Sequence, residues 1–207
     1  MSILINKYNN LCNTPSDIHE HLPTLYKYTS EPSVNRVTEC GVRGVVSSYA
    51  FAAGLLTKTD KSNVHLYQSD LDTNRNVVQF GQECAAEGIP VTFYQQSDLI
   101  CPMEPTDLLF IDTWHIYGHL KRELDRWHPA VSNYIILHDT TVDAIVGETI
   151  RHRWNPVEQS KSTGIPVEEI TKGLWPAVEE FLAAHPEWIL EHRYTNNNGL
   201  TVLRRTG

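Results

Sequence analysis

The chain has 207 residues, which is enough for one α/β domain with a sizeable buried core and leaves little room for a second. Hydrophobic residues make up 41% and charged residues 20%, a balance typical of globular domains and not of disordered ones. Asp and Glu total 25 against 17 Lys and Arg, and the formal charge of -8 argues against nucleic acid as a partner.

The sequence carries no targeting or redox signal. No apolar run is long enough to span a bilayer, and the first residues lack the apolar stretch of a signal peptide. None of the cysteines is in C-x-x-C spacing, and they are Cys12, Cys40, Cys84 and Cys101. We therefore expect reduced thiols, no membrane partner and a cytoplasmic location.

Strand-like and helix-like segments alternate along most of the chain, which is typical of an α/β fold with a mainly parallel sheet. Apolar runs predict strands at residues 36–40, 64–70, 91–94, 107–112 and 134–138. Apolar stripes at helical spacing predict helices at residues 46–56, 74–87, 117–127 and 175–184. The near-continuous apolar run at 107–112 indicates a central strand that is covered on both faces.

Two segments lie outside this alternation. Residues 1–30 are expected to form an N-terminal helical cap, in which Thr14 and Pro15 start a helix. Residues 151–170 are polar and are interrupted by prolines and a glycine, which favours a mobile loop. We expect this loop to act as a lid over the acceptor.

The end of the chain discriminates between α/β folds. Residues 188–194 and 200–204 predict two strands, and Asn198-Gly199 supplies the positive φ angles of a hairpin turn. A terminal antiparallel hairpin on a parallel sheet is the pattern of class I methyltransferases and not of dinucleotide dehydrogenases. The sequence therefore predicts one Rossmann-like domain over residues 1–207, with seven strands, a mostly parallel sheet and helices on both faces.

A glycine-containing turn between the first strand and its helix predicts a cofactor site. Gly41 and Gly44 let backbone N–H groups approach a ligand, and the helix N-terminus favours a carboxylate such as that of S-adenosylmethionine (SAM). Glu39 is expected to attract the SAM ammonium, while Arg43 and Ser47 engage its carboxylate. A plain structural turn is the alternative interpretation of this motif.

Acidic residues also follow the next strands, at the sheet edge where ligands bind in such folds. Asp70 is placed to accept both ribose hydroxyls, and Asp98 to accept from the adenine amino group. The predicted cofactor-binding residues are Glu39, Gly41, Arg43, Gly44, Ser47, Asp70, Asp98 and Asp112.

The last two parallel strands end in residues suited to metal-assisted chemistry. Asp112 and Asp139 end adjacent strands, and two close carboxylates can hold a divalent ion such as Mg²⁺. His138 is a further candidate ligand, and its nitrogen would make Mn²⁺ or another transition metal the better fit. His115, three residues beyond Asp112, is the candidate base for a hydroxyl proton.

The sequence D-T-W-H at residues 112–115, the helix that follows it, and I-L-H-D-T at residues 136–140 resemble a family of metal-dependent methyltransferases. This family includes the sugar O-methyltransferases of macrolide and aminocoumarin biosynthesis and is related to cephalosporin hydroxylase. The resemblance implies that Asp112 and Asp139 hold Mg²⁺ and that His115 acts as base. His138 stands where the family has an acid, which leaves the identity of the metal open.

The expected function is SAM-dependent, metal-assisted methylation of a sugar hydroxyl on a glycan or a nucleotide sugar. Its catalytic residues would be Asp112, His115 and Asp139. A hydroxylase-like oxygenase and a non-catalytic SAM-binding scaffold are the alternatives. A homodimer is compatible with the sequence, which does not identify the sugar.

Overall fold

The computed structural model describes residues 2–207 and contains seven strands and nine α-helices in that range. The strands are β1 (Arg36–Cys40), β2 (His65–Asp70), β3 (Val91–Gln95), β4 (Thr106–Ile111), β5 (Val131–His138), β6 (Trp188–Tyr194) and β7 (Leu200–Arg205). The helices are α1 (Ile3–Cys12), α2 (Leu22–Ser30), α3 (Val46–Leu56), α4 (Arg75–Ala86), α5 (Tyr117–Trp127), α6 (Glu148–Arg151), α7 (Pro156–Thr163), α8 (Val167–Thr171) and α9 (Trp175–Ala184). Within these residues, no helix is both long and apolar enough to cross a membrane.

All seven strands belong to one sheet with the order β3-β2-β1-β4-β5-β7-β6. The first five strands in this order pair in parallel, whereas β7 runs antiparallel to β5 and β6 runs antiparallel to β7. The predicted mostly parallel sheet with a C-terminal antiparallel hairpin is confirmed. Because the strand order reverses between β1 and β4, their carboxyl ends frame the position where such sheets bind ligands.

The central strand β4 has apolar side chains on both faces, and helices bury both. Leu108 and Phe110 point to one face, where they join a core formed with α1, α2, α3 and α4. Leu109 and Ile111 point to the other face and pack with α5 and α9. Side chains alternate along a strand, so an apolar run buries residues on both sides. The prediction of helices on both faces is confirmed.

The N-terminal cap is helical, but its helix does not begin at Thr14. The helix α1 begins after Ser2, whose side chain accepts a hydrogen bond from the backbone N–H of Ile5. The Thr14 hydroxyl donates back to the carbonyl of Asn10, so it follows the end of α1 and caps no new helix. The next α-helix, α2, begins eight residues later with Pro23 in its first turn.

Residues 151–170 are also more regular than their composition indicates. They contain the end of α6, all of α7 and all but the last residue of α8, so the prediction of a loop is wrong. Asn155 caps α7 by accepting from two backbone N–H groups, and Gly164 ends it at a φ of +75°. Local caps therefore form short helices without an apolar stripe. Closure of the segment as a lid stays a prediction.

The hairpin turn between β6 and β7 supports the loop after β5. Gly199 has a φ of +98°, and a Cβ atom there would lie 2.3 Å from Oγ1 of Thr141. The backbone N–H groups of Thr141 and Val142 donate to the carbonyl of Asn198. The turn thus fixes the chain immediately after Asp139.

We expect Gly199→Ala to lower the free energy of unfolding by about 1–3 kcal/mol, because the new Cβ meets both strain and a close neighbour. Gly81→Ala is the matched control, since a Cβ at that helical position meets nothing within 4 Å. The control should raise stability by about 0.5–1 kcal/mol through helix propensity. Urea unfolding of both variants checks this, and equal stability of the two would contradict the packing described.

Candidate functional site

A cavity of about 860 Å³ opens at the carboxyl ends of the parallel strands. Five of the residues predicted for the site line it, and these are Gly41, Arg43, Asp70, Asp98 and Asp112. Its far wall comes from Trp114 and from the segment joining α7 to α8. This volume is in the range of cavities that enclose a cofactor-sized molecule.

The cavity floor depends on a very close approach of two strand ends. Gly41 has a φ of +86°, and a Cβ atom there would lie 1.9 Å from the carbonyl oxygen of Asp112. No other residue type fits this position without moving β1 away from β4. Gly44 is under no such constraint, because a Cβ there would meet nothing within 4 Å. Besides Gly41, the residues of the turn with a positive φ are Arg43 and Val45, and Gly44 is not among them.

Asp70 holds the glycine turn in place. Its Oδ2 accepts hydrogen bonds from the backbone N–H groups of Val42 at 2.8 Å and Arg43 at 2.9 Å. Its Oδ1 accepts from the backbone N–H of Asp72 at 3.1 Å. Asp70 therefore lies on the cavity wall and stabilises the glycine turn. Binding of ribose by Asp70 stays a prediction.

Arg43 points toward the N-terminal cap. Its guanidinium lies 2.6 Å from Oδ2 of Asp17, and its side chain is largely exposed. An exposed pair of this kind contributes little to stability. The guanidinium can therefore leave Asp17 for an anionic ligand at low cost.

Glu39 lies behind the turn and is fully buried. Its carboxylate accepts hydrogen bonds from Ser47 at 2.5 Å, Ser48 at 2.7 Å and Gln68 at 2.6 Å. Burial raises the pKa of Glu39 to about 7, although these hydrogen bonds oppose the shift. Glu39, Gly44 and Ser47 are not among the cavity-lining residues, so the structure does not bring them to the ligand surface.

Asp98 follows β3 and lines the cavity, and it forms a cluster with His119 and Glu123 of α5. Its Oδ1 lies 3.3 Å from Nε2 of His119, which is itself 3.6 Å from Oε1 of Glu123. Burial alone would raise the pKa of Asp98, but hydrogen bonds with both residues hold it below its usual value. Burial and the Asp98 charge raise the pKa of Glu123 well above its usual value. Sequence reasoning missed His119 and Glu123, although their i,i+4 spacing places them on one helix face.

The four residues predicted for chemistry converge at the ends of β4 and β5. Oδ1 of Asp112 lies 3.1 Å from Nε2 of His115 and 3.4 Å from Nδ1 of His138. Oδ2 of Asp139 lies 3.1 Å from Nδ1 of His115 and 3.5 Å from Nδ1 of His138. Asp139 takes a φ of +56°, which turns the chain sharply after β5. The structure thus brings all four together.

Sequence reasoning missed two further carboxylates at this site. Oε2 of Glu148 and Oδ2 of Asp143 lie 3.2 Å and 3.3 Å from Nδ1 of His115. Arg151 donates to both oxygens of Asp143 at 2.6 Å and 2.7 Å. Burial alone would lower the pKa of His115, but the surrounding carboxylates raise it well above its usual value. In the ion-free protein these carboxylates therefore favour the protonated form of the imidazole.

The side chains of Asp112, His138 and Asp139 fit a divalent cation. One donor atom from each lies within 4.8 Å of the others. His138 and Asp139 are buried, and the Oδ1 atom of Asp139 has no hydrogen-bond partner among residues 2–207. Buried polar atoms without partners are costly, and an ion with its own water ligands relieves this cost. The mixed nitrogen and oxygen donors suit Mn²⁺ at least as well as Mg²⁺.

No protein-family model matches the chain, and no curated protein matches it. Among solved structures, a candidate caffeoyl-CoA O-methyltransferase from Staphylococcus aureus has a TM-score of 0.60 at 15% identity, over 99% of this chain and 93% of that one. The O-methyltransferase from Bacillus cereus in complex with S-adenosylhomocysteine (SAH) gives 0.56 at 16% identity, with coverage of 99% and 88%. TomG from Streptomyces achromogenes, an O-methyltransferase in complex with SAM, gives 0.56 at 13% identity, with coverage of 100% and 91%.

These similarities define the fold of the chain. It is the Rossmann-like fold of the SAM-dependent O-methyltransferases, with the strand order and terminal hairpin described above.

The buried carboxyl of Glu39 makes stability depend on pH in a definite direction. An acid with a raised pKa in the folded state stabilises the protein below its unfolded pKa and loses this contribution as pH rises toward the folded pKa. For a pKa of about 7, the loss between pH 4.5 and pH 7 is on the order of 2–3 kcal/mol.

We therefore expect Glu39→Gln to be less sensitive than the wild type to a rise in pH across this window. Urea unfolding at several pH values gives the comparison, with Glu158→Gln, at an exposed glutamate, as control. Parallel stability curves for the wild type and Glu39→Gln would show that the carboxyl titrates normally.

Proposed function

We propose that this protein is a SAM-dependent O-methyltransferase that methylates a sugar hydroxyl with the help of a divalent cation. One observation carries the proposal: the cavity at the carboxyl ends of the strands joins the Gly41 turn, Asp70 and Asp98 to the cluster around Asp112. The Gly41 turn, Asp70 and Asp98 offer hydrogen-bonding groups suited to a nucleoside and an amino acid. The cluster around Asp112 offers ligands and a base suited to metal-assisted proton removal.

The cofactor would lie along the ends of β1, β2 and β3. The backbone N–H groups of the Gly41 turn and the guanidinium of Arg43 are suited to its carboxylate. Asp70 would accept from the ribose hydroxyls and Asp98 from the adenine amino group. Bound SAM would supply an electrophilic methyl group on a sulfonium sulfur.

The acceptor would lie between Asp112 and the wall formed by Trp114 and the segment that joins α7 to α8. Asp112, His138 and Asp139 would hold Mg²⁺ or Mn²⁺, which favours ionisation of a nearby hydroxyl. SAM would supply the methyl group to the acceptor oxygen and would leave as SAH. The chain contributes by holding both partners in line and by excluding water.

His115 is the proposed acceptor of the hydroxyl proton, as the sequence predicts. This role requires a neutral imidazole, whereas the neighbouring carboxylates favour its protonated form in the ion-free protein. A cation bound among these carboxylates would offset that effect. The sugar class rests on the resemblance of residues 112–115 and 136–140 to sugar O-methyltransferases.

We expect the folded protein to bind SAH with micromolar affinity, which isothermal titration calorimetry measures. Asp70→Ala should weaken binding by about 1.5–3 kcal/mol, because hydrogen bonds to a charged group are lost. Asp60→Asn, an exposed acid outside the cavity lining, serves as the control. Absence of SAH binding by protein with a native circular dichroism spectrum would refute the proposed function.

Transfer of labelled methyl groups to a panel of rhamnosides, fucosides and catechols tests the reaction itself. EDTA and Asp139→Ala should each abolish turnover, and His115→Ala should lower kcat by roughly 10²–10⁴-fold with SAH affinity little changed. SAH binding without transfer to any acceptor would favour the scaffold alternative. Full activity of both the EDTA-treated enzyme and His115→Ala would rule out the metal-assisted mechanism.

A further inference from the structure

A second set of donor atoms surrounds Nδ1 of His115, on the side away from Asp112. Carboxylate oxygens of Asp139, Glu148 and Asp143 lie 3.1 Å, 3.2 Å and 3.3 Å from this nitrogen. One ring N–H points to one acceptor at a time, and Nδ1 makes no hydrogen bond of normal geometry in the described chain. Hydrogen bonding alone therefore does not explain why three oxygens lie at nearly equal distance from one nitrogen.

These separations match the spacing of ligands around one ion. Neighbouring ligands lie roughly 3.0–3.1 Å apart in an octahedral site with bonds of about 2.1–2.2 Å. In a tetrahedral site with bonds of about 2.0 Å, the spacing is roughly 3.3 Å. The three nitrogen–oxygen separations fall within this range, and the donor atoms of His115, Asp143 and Glu148 all lie within 4.8 Å of one another.

Apart from His115 and His138, the carboxylates of Asp139 and Glu148 have no cationic partner among residues 2–207. The side chain of Asp139 is only 8% exposed, and its Oδ1 atom has no hydrogen-bond partner among residues 2–207. The carboxylate of Glu148 has His115 as its close cationic neighbour. Buried carboxylates without a matching positive charge are costly. Apart from the imidazoles of His115 and His138, the described chain supplies no cation to these two carboxylates, which points to a bound ion.

Arg151 is the competing cation, and it reaches only one of these groups. It occupies both oxygens of Asp143, which is fully buried. No pair between Arg151 and Asp139 or Glu148 forms within the described residues. Asp143 would therefore be shared between Arg151 and an ion and would contribute less to the site. The carboxylates of Asp139 and Glu148 have no arginine partner of this kind and can bind an ion.

We infer that His115, Asp139 and Glu148 form a second divalent-cation site, to which Asp143 contributes. It is distinct from the site proposed at Asp112 and shares Asp139 with it. One imidazole nitrogen with carboxylate oxygens selects a transition ion such as Mn²⁺. Glu148 also lines the large cavity, which gives an ion its entry path.

This site does not depend on methyl transfer, so it goes beyond the proposed function. A nitrogen that holds an ion cannot also accept a proton. The proton-acceptor role proposed for His115 therefore belongs to the chain with the second site empty, and an ion bound there would block it.

The test is a titration of the full chain with MnCl₂ after EDTA treatment and desalting, with free Mn²⁺ followed by its EPR signal. The wild type and the exposed control Glu158→Gln should bind two ions per chain. Glu148→Gln should bind one, because a neutral amide of nearly the same shape replaces an anionic ligand. Asp112→Asn should also keep one, and anomalous diffraction at the manganese edge should place it beside Glu148.

One ion per chain in the wild type, held with unchanged affinity by Glu148→Gln, would overturn the inference. The carboxylates would then form only an ion-pair cluster around a protonated imidazole. No bound ion in protein with a native circular dichroism spectrum would overturn it as well. SAH binding by the ion-free protein reports separately on the proposed function.

Discussion

The contact between Gly41 and the carbonyl of Asp112 sets the geometry of the whole site. It allows the ends of β1 and β4 to meet without a side chain between them. The Gly41 turn and the cluster around Asp112 consequently share one wall, although they come from strands about 70 residues apart in the chain. The proposed methyl transfer would need this proximity, because in-line transfer tolerates little misplacement.

Charge balance is the second constraint on the molecule. Four carboxylates surround His115, and Arg151 neutralises only Asp143. In the absence of an ion, the neighbouring carboxylates raise the pKa values of His115 and His138 and so favour their protonated forms. A divalent cation would replace those protons, so ion binding and proton release are coupled at this site.

Most of the fold could be predicted because its signals are local. The β4 strand is a continuous apolar run, and the terminal hairpin carries Asn198-Gly199, so sequence alone places both. The helix α1 and the segment 151–170 were missed because capping interactions, such as that of Asn155, form them without an apolar stripe. Short helices of this kind leave little periodicity to detect.

Sequence predicted only those site residues that lie at or just after the ends of strands. Parallel strands place Asp112 and Asp139 at one sheet edge by topology, whereas Asp143 and Glu148 arrive through the turn after β5 and through α6. Hydrogen bonds complete that placement, since the N–H of Glu148 donates to the carbonyl of His115 and the N–H of Gly147 donates to that of Thr171. The segment that brings Glu148 to His115 is therefore tied to α8, next to the cavity wall. A rearrangement that moves Glu148 away from His115 would also shift α8 and the adjoining cavity wall.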